Sequence, residues 1–208
     1  MIYELMKSRR SIRRFKSERP STEQITRLIE AAITAPSASN KQPWRFLIVT
    51  NRSVIDRLAT SVRAAIDRVA AHIEPGSQHA FRSYGDYFTR FDNAPVVIVV
   101  IFRSLTVLSH LVDSDLWEDD HLCIRRMERD SGLIGAAMAM QNLLLMAHDS
   151  GLGASGLTGP LVADGEIRRI LELQPSWEIA AFIATGFAAE EPPAPERKAA
   201  EKVMTWIE

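Results

Sequence analysis

The run Val96-Val97-Ile98-Val99-Val100-Ile101-Phe102 constrains this chain more than any other segment. It is apolar at every position and β-branched at all but the last. A strand with one wet face alternates apolar and polar residues, so a strand without alternation is buried on both faces. The run is also far short of the ~20 residues that a membrane-spanning helix needs. It therefore reads as a central strand. Residues 46–50 and 179–185 read as two further strands, the second also buried.

The helical signals fall around these strands. Residues 2–10 read as a short helix leading into a basic cluster. Pro20-Ser21 opens the next one, with Ser21 and Gln24 spaced as a capping box. Its apolar stripe is Ile25, Leu28, Ile29, Ala32 and Ile33, and Pro36 stops it. Residues 53–73 carry Ile55, Leu58, Val62, Ile66 and Val69 on one face, until Pro75-Gly76 breaks the pattern. Residues 131–148 are apolar almost all round, with Gly135, Ala136 and Ala139 at close spacing. Such a helix is a core element or is buried in a dimer interface, and the sequence leaves both open. Residues 166–171 read as a last helix. Pro192, Pro193 and Pro195 argue for an extended tail over 190–208, across this chain or a partner's surface.

Residues 103–130 are the least regular part. Asp113, Asp115, Glu118, Asp119 and Asp120 surround Trp117. Two readings stand: a surface excursion or lid, and a helix with a solvated acidic face.

A chain of 208 residues can bury a sizeable core and is read as one domain over 1–208. The net charge of −1 favours neither nucleic acid nor an acidic membrane as partner. The single cysteine, Cys123, permits no internal disulfide and suits a reducing compartment. Lys7, Arg9 and Arg10 interrupt any secretory apolar region after Met1. The expectation is a soluble, cytoplasmic protein.

Three segments carry chemistry. Arg9-Arg10-Ser11-Ile12-Arg13-Arg14-Phe15 concentrates cationic forks and a hydroxyl, which is what a phosphate monoester is gripped by. A solvated basic helix end is the alternative. Arg197-Lys198 is a second, distant cationic pair. Pro36-Ser37-Ala38-Ser39-Asn40-Lys41-Gln42-Pro43-Trp44 holds amide and hydroxyl groups between two prolines. That set can read a flat heterocycle, or it is an ordinary turn. Residues 151–160 are dense in glycine. The G-x-G-x-x-G spacing of Gly151, Gly153 and Gly156 follows a helix rather than a strand, so it is not a dinucleotide fingerprint. A loop approaching a ring closely, or a helix end with a mobile connection, remains. The five histidines show no metal-ligand spacing, no nucleophile elbow exists, and Cys123 has only His121 nearby as a base.

Taken together, these segments resemble the FMN-dependent nitroreductase family. The resemblance rests on residues 9–13, on Pro36 to Phe46, on Gln141-Asn142-Leu143-Leu144-Leu145, on 151–160, and on Gly186-Phe187 with the proline run and Arg197-Lys198. It implies an α+β fold, a central and mainly antiparallel sheet flanked by helices, in an intertwined homodimer with two interfacial FMN sites. By it, Arg9, Arg10, Ser11 and Arg13 meet the phosphate, the ribityl chain and the N1/O2 edge of the ring, and Arg197 and Lys198 add to the phosphate grip. Leu157, Thr158 and Gly159 lie against the ring near N5. Pro36, Ser37, Ala38, Ser39, Asn40 and Gln42 come from the other subunit. The position of Thr158 is often acidic in relatives that reduce nitroaromatics well. The implied activity carries hydride from NAD(P)H through the flavin to a nitroaromatic, quinone or similar small acceptor by a ping-pong mechanism. No metal and no side-chain acid or base is involved. Reductive dehalogenation, work on a specific metabolite under a lid at 103–130, and a non-catalytic flavin-binding dimer are the rival readings.

Overall fold

The computed structural model describes residues 2–208, and its centre is the Val96–Phe102 strand. Four strands form one sheet: β1 (Trp44–Val49), β2 (Val96–Phe102), β3 (Gly153–Leu157) and β4 (Glu178–Gly186), in the order β1-β2-β4-β3. Every pairing is antiparallel. All seven residues of β2 are buried, as the absence of alternation requires.

Successive side chains of β2 enter two separate cores. Val97, Val99 and Ile101 pack on one face with α3 (Arg52–Ala70) and α6 (Asp164–Ile170). Val96, Ile98, Val100 and Phe102 pack on the other with α2 (Thr22–Ala32) and α5 (Glu118–Asp149). A register shift between Val100 and Ile101 inserts Ala180 into β4 and keeps that strand's side chains in phase with both cores.

Local chemistry sets the helix ends. The Ser21–Gln24 capping box forms in full, Gln24 N–H donating to the Ser21 hydroxyl at 3.2 Å and Ser21 N–H to the Gln24 side chain at 2.9 Å. The first helix, α1 (Ile2–Ser8), stops two residues before its expected end, because the Arg10 guanidinium donates to the carbonyls of Lys7, Ser8 and Arg9 and caps it. Pro75 does not merely break α3. It sits at the first position of α4 (Pro75–Gly85), where its missing N–H costs nothing.

The largest departures from expectation are two. Residues 103–130 divide: 103–117 is irregular apart from a 3-10 turn at Leu108–His110, while Glu118 begins a 32-residue α5 that runs through to Asp149. Glu118, Asp119 and Asp120 occupy its first turn, where the helix dipole favours negative charge. The glycine-dense 151–160 segment is not a loop throughout, since Gly153–Leu157 is strand β3. Its small residues leave a period-two pattern nothing to show.

α5 buries Gly132, Gly135, Ala136, Ala139, Leu143 and Ala147 on one face. Its opposite face leaves Ile134 53% and Met138 43% exposed. No helix among the described residues is long and apolar enough to cross a membrane.

Gly132 lets α5 touch the end of β2, because a Cβ there would run into the Arg103 carbonyl oxygen. Gly132→Ala is expected to lower stability by about 1–3 kcal/mol through this overpacking. A urea midpoint unchanged from wild type would show that α5 and β2 do not meet so closely.

Candidate functional site

Residues 9–16 lie along the outer edge of β3. Ser11 bridges Ala154 in parallel, and Ile12 N–H donates to the Ala154 carbonyl at 3.1 Å. The chain then turns, and Phe15 bridges Ala188 with Lys16 N–H donating to the Phe187 carbonyl at 2.9 Å. Two side chains that sequence reasoning missed hold this turn. The Glu190 carboxylate oxygen Oε1 accepts from Arg13 N–H at 2.6 Å and from Arg14 N–H at 3.1 Å. The Asn93 amide donates to the Arg13 carbonyl at 2.9 Å and accepts from Phe15 N–H at 3.1 Å. Nothing local in sequence marks either residue, because both act on backbone groups about 80 to 180 positions away.

Arg9 of the first cationic cluster lies within reach of the charge of Arg197 in the second. Burial, followed by the charges of Arg197 and Arg10, pulls the Arg9 guanidinium below its ordinary pKa. Among the described residues, no carboxylate lies within ion-pair distance of Arg9, Arg10, Arg13 or Arg197. Like charges packed together without a counter-charge make a site for an anion. Arg10 is partly committed elsewhere, to the end of α1. Arg13 bends back, its guanidinium donating to the Ser11 carbonyl at 3.3 Å. Lys198 is exposed, as is Arg197.

β3 ends on the same edge at Leu157, and Thr158 leads into a 3-10 turn over Gly159–Ala163. A Cβ at Gly159 would strike the Phe88 ring, so only glycine fits there. Leu157 is half-buried, while Thr158 remains exposed.

Residues 36–43 form a strained loop. Ser39, Asn40 and Gln42 hold φ of 50°, 51° and 46°, a region that costs non-glycine residues energy and that clusters at functional sites. The Ser37 hydroxyl accepts from Gln42 N–H at 3.0 Å and closes the loop on itself. Pro36, Ala38, Ser39, Asn40 and Gln42 are exposed. The loop is braced from behind by α5, where Gly135 faces Trp44, Pro43 and Ser37.

The sheet keeps this loop away from the arginines. Residues 36–43 lead into Trp44, which pairs with Phe102, itself opposite Glu178 at one end of the sheet. Ser11 lies beside Ala154, which pairs with Thr185 at the other end. β1 and β3 are also opposite edges. Strand spacing and rise put the two segments roughly 25 Å apart. One chain brings Arg9 near Arg197 and lays residues 9–16 along β3, the strand that leads into 157–159, while 36–43 lies at the far corner of the sheet.

The sequence model of the Nitroreductase family matches residues 6–187. A Thermus thermophilus protein named NADH dehydrogenase is 28% identical over 214 residues, covering 95% of this chain and 92% of its own. The fold is similar to that of a BluB-like flavoprotein from Clostridium difficile 630, with a TM-score of 0.88 at 23% identity over 100% of this chain and 99% of the other. It is also similar to an iodotyrosine deiodinase bound to FMN and 3-iodo-L-tyrosine, with a TM-score of 0.73 at 22% identity over 96% of each chain.

An anion at the arginine cluster should stabilise the protein. Inorganic phosphate at about ten times its Kd is expected to add about 1.4 kcal/mol, read as a rise in thermal midpoint. Arg9→Ala and Arg197→Ala should each remove most of that rise. Equal stabilisation of both variants would show that phosphate binds elsewhere.

Proposed function

Because this chain belongs to the nitroreductase family, we propose that it is an FMN-dependent oxidoreductase that moves reducing equivalents from NAD(P)H to a small acceptor of quinone or nitroaromatic type, as a cytoplasmic homodimer. The observation that carries the reading is the meeting of Arg9, Arg10 and Arg197 without a counter-carboxylate. That donor set fits the phosphate of FMN, and Ser11 and Lys198 stand next to it in the chain. Leu157, Thr158 and Gly159 would line the ring. FMN, when bound, supplies the hydride-transfer chemistry.

The protein's share is position and charge. Arg13 provides a fixed cation for the N1/O2 edge, where negative charge gathers on reduction. Glu190 and Asn93 orient it by holding its backbone on both sides. The reaction asks no side chain of this chain to carry a proton.

A dimer follows from the separation of the two motifs. Residues 36–43 cannot complete the site of their own chain, so Pro36, Ser37, Ala38, Ser39, Asn40 and Gln42 would serve the partner's cofactor. The exposed apolar stripe of α5, with Ile134 and Met138, and the exposed tail residues Val203, Met204, Trp206 and Ile207 are surface that a second copy would cover.

Reductive dehalogenation is the second reading. It is favoured by Thr158 in place of an acidic residue and by the exposed apolar excursion at 103–117, where Val107, Leu111 and Trp117 face outward.

Purified protein is expected to show the visible bands of oxidised flavin and to oxidise NADH in the presence of a quinone; protein that stays colourless with added FMN would sink the reading. Arg13→Ala should weaken FMN binding about tenfold, or ~1.4 kcal/mol, and lower the flavin's reduction potential. An unchanged affinity and potential would remove Arg13 from the role. Diluting the dimer to monomer should release FMN, as followed by flavin fluorescence. A monomer that keeps its flavin would show that residues 36–43 do not serve a partner.

A further inference from the structure

Glu128 is the one buried carboxylate among the described residues, at 3% exposure, and nothing in the flavin reading uses it. It sits on α5 one turn before Gly132, where the helix meets the end of β2. Its Oε1 accepts from Val107 N–H at 2.6 Å and from Ser109 N–H at 3.1 Å. Its own backbone carbonyl accepts from Leu105 N–H at 3.2 Å. Three alternate amides of an otherwise irregular segment are thus tied to one helical residue.

Burial alone would push this carboxyl up. The Ser109 hydroxyl and the amides of Val107, Ser109 and Leu108 outweigh that effect and hold it below its ordinary range, so it is ionised at neutral pH. Its second oxygen, Oε2, is buried with no hydrogen-bond partner. A desolvated charge with one oxygen unsatisfied is a poor device for stability alone. What it achieves is geometric. With their amides drawn inward, Val107 and Leu108 turn their side chains outward, and both are exposed together with Leu111.

The position of this segment gives the geometry a use. Arg103 N–H donates to the Pro43 carbonyl at 3.1 Å, and Gly135 faces Pro43 and Ser37. The segment therefore starts beside the strained 36–43 loop, and the two are held on the same helix, by Glu128 and by the Gly135 face about two turns further on.

We propose that Glu128 is a positioning residue for the electron acceptor: it pins residues 105–109 to α5, and so fixes Val107, Leu108 and Leu111 as an apolar wall beside the 36–43 loop, against which a planar apolar acceptor packs. This rests on the flavin oxidoreductase reading. It assigns the wall to the acceptor and not to the cofactor, so the two half-reactions separate the ideas.

The probe is 1,4-naphthoquinone with FMN-loaded enzyme. Glu128→Ala is expected to raise KM for the quinone about tenfold, with kcat within twofold, bound flavin unchanged and the anaerobic rate of flavin reduction by NADH unchanged. Amide exchange at Val107 and Ser109 should accelerate in parallel. Glu128→Gln keeps one acceptor oxygen and the side-chain volume, and should stay within threefold of wild type in KM. Ser109→Pro removes one latched N–H from the loop side, leaves the helix intact, and should raise KM in the same direction even if the alanine variant folds poorly. Faster exchange with unchanged KM in FMN-loaded variants overturns the proposal alone. So does a loss of flavin that tracks the loss of turnover, since Glu128 would then be purely structural. A wild-type protein that takes up no FMN overturns the oxidoreductase reading and the proposal with it.

Discussion

The two-sided burial of β2 is the constraint on which the rest depends. A strand with no wet face must lie inside a sheet and must be covered above and below. Helices α3 and α6 therefore take one side, and α2 and α5 the other. With the middle of the sheet closed to solvent, chemistry is displaced to the margins. The arginine segment takes the β3 edge, and the strained polar loop takes the end of β1. The candidate site is peripheral because the centre is fully packed.

This placement shows why part of the molecule is legible in the sequence and part is not. β2 and the capping box at Ser21 are read directly, since each is a local pattern with one physical meaning. β3 is invisible, because Gly153, Ala154, Ser155 and Gly156 carry too little side chain to alternate, and their pairing with β4 is a fact of tertiary structure. α5 looks split because its charged first half and apolar second half differ in composition, although the backbone runs through both. Pro75-Gly76 reads as a break when it is equally a start.

The candidate site divides in the same way. Arg9, Ser11 and Arg197 are visible as residue types whose chemistry is unusual for a net-neutral surface, and the structure brings the first and last of them together. Glu190, Asn93 and Glu128 are invisible, though each spends its side chain on two or more backbone groups far away in sequence or across a helix–loop boundary. Residues that touch a ligand advertise themselves by type. Residues that hold those residues in place do so through geometry, and geometry becomes readable only once the chain is folded.

That distinction bears on how the arginines are tolerated at all. Arg9 carries a depressed pKa because it is partly desolvated beside Arg197 and Arg10. A chain selected for stability alone would relieve this by placing a carboxylate nearby, and Glu190 is close enough in the chain to have done so. Instead Glu190 directs Oε1 to the backbone amides of Arg13 and Arg14. The carboxylate thereby shapes the turn without neutralising the guanidinium groups. The positive field around Arg9 is thereby left without a counter-charge, and the phosphate proposed to bind there would relieve the repulsion among the arginines.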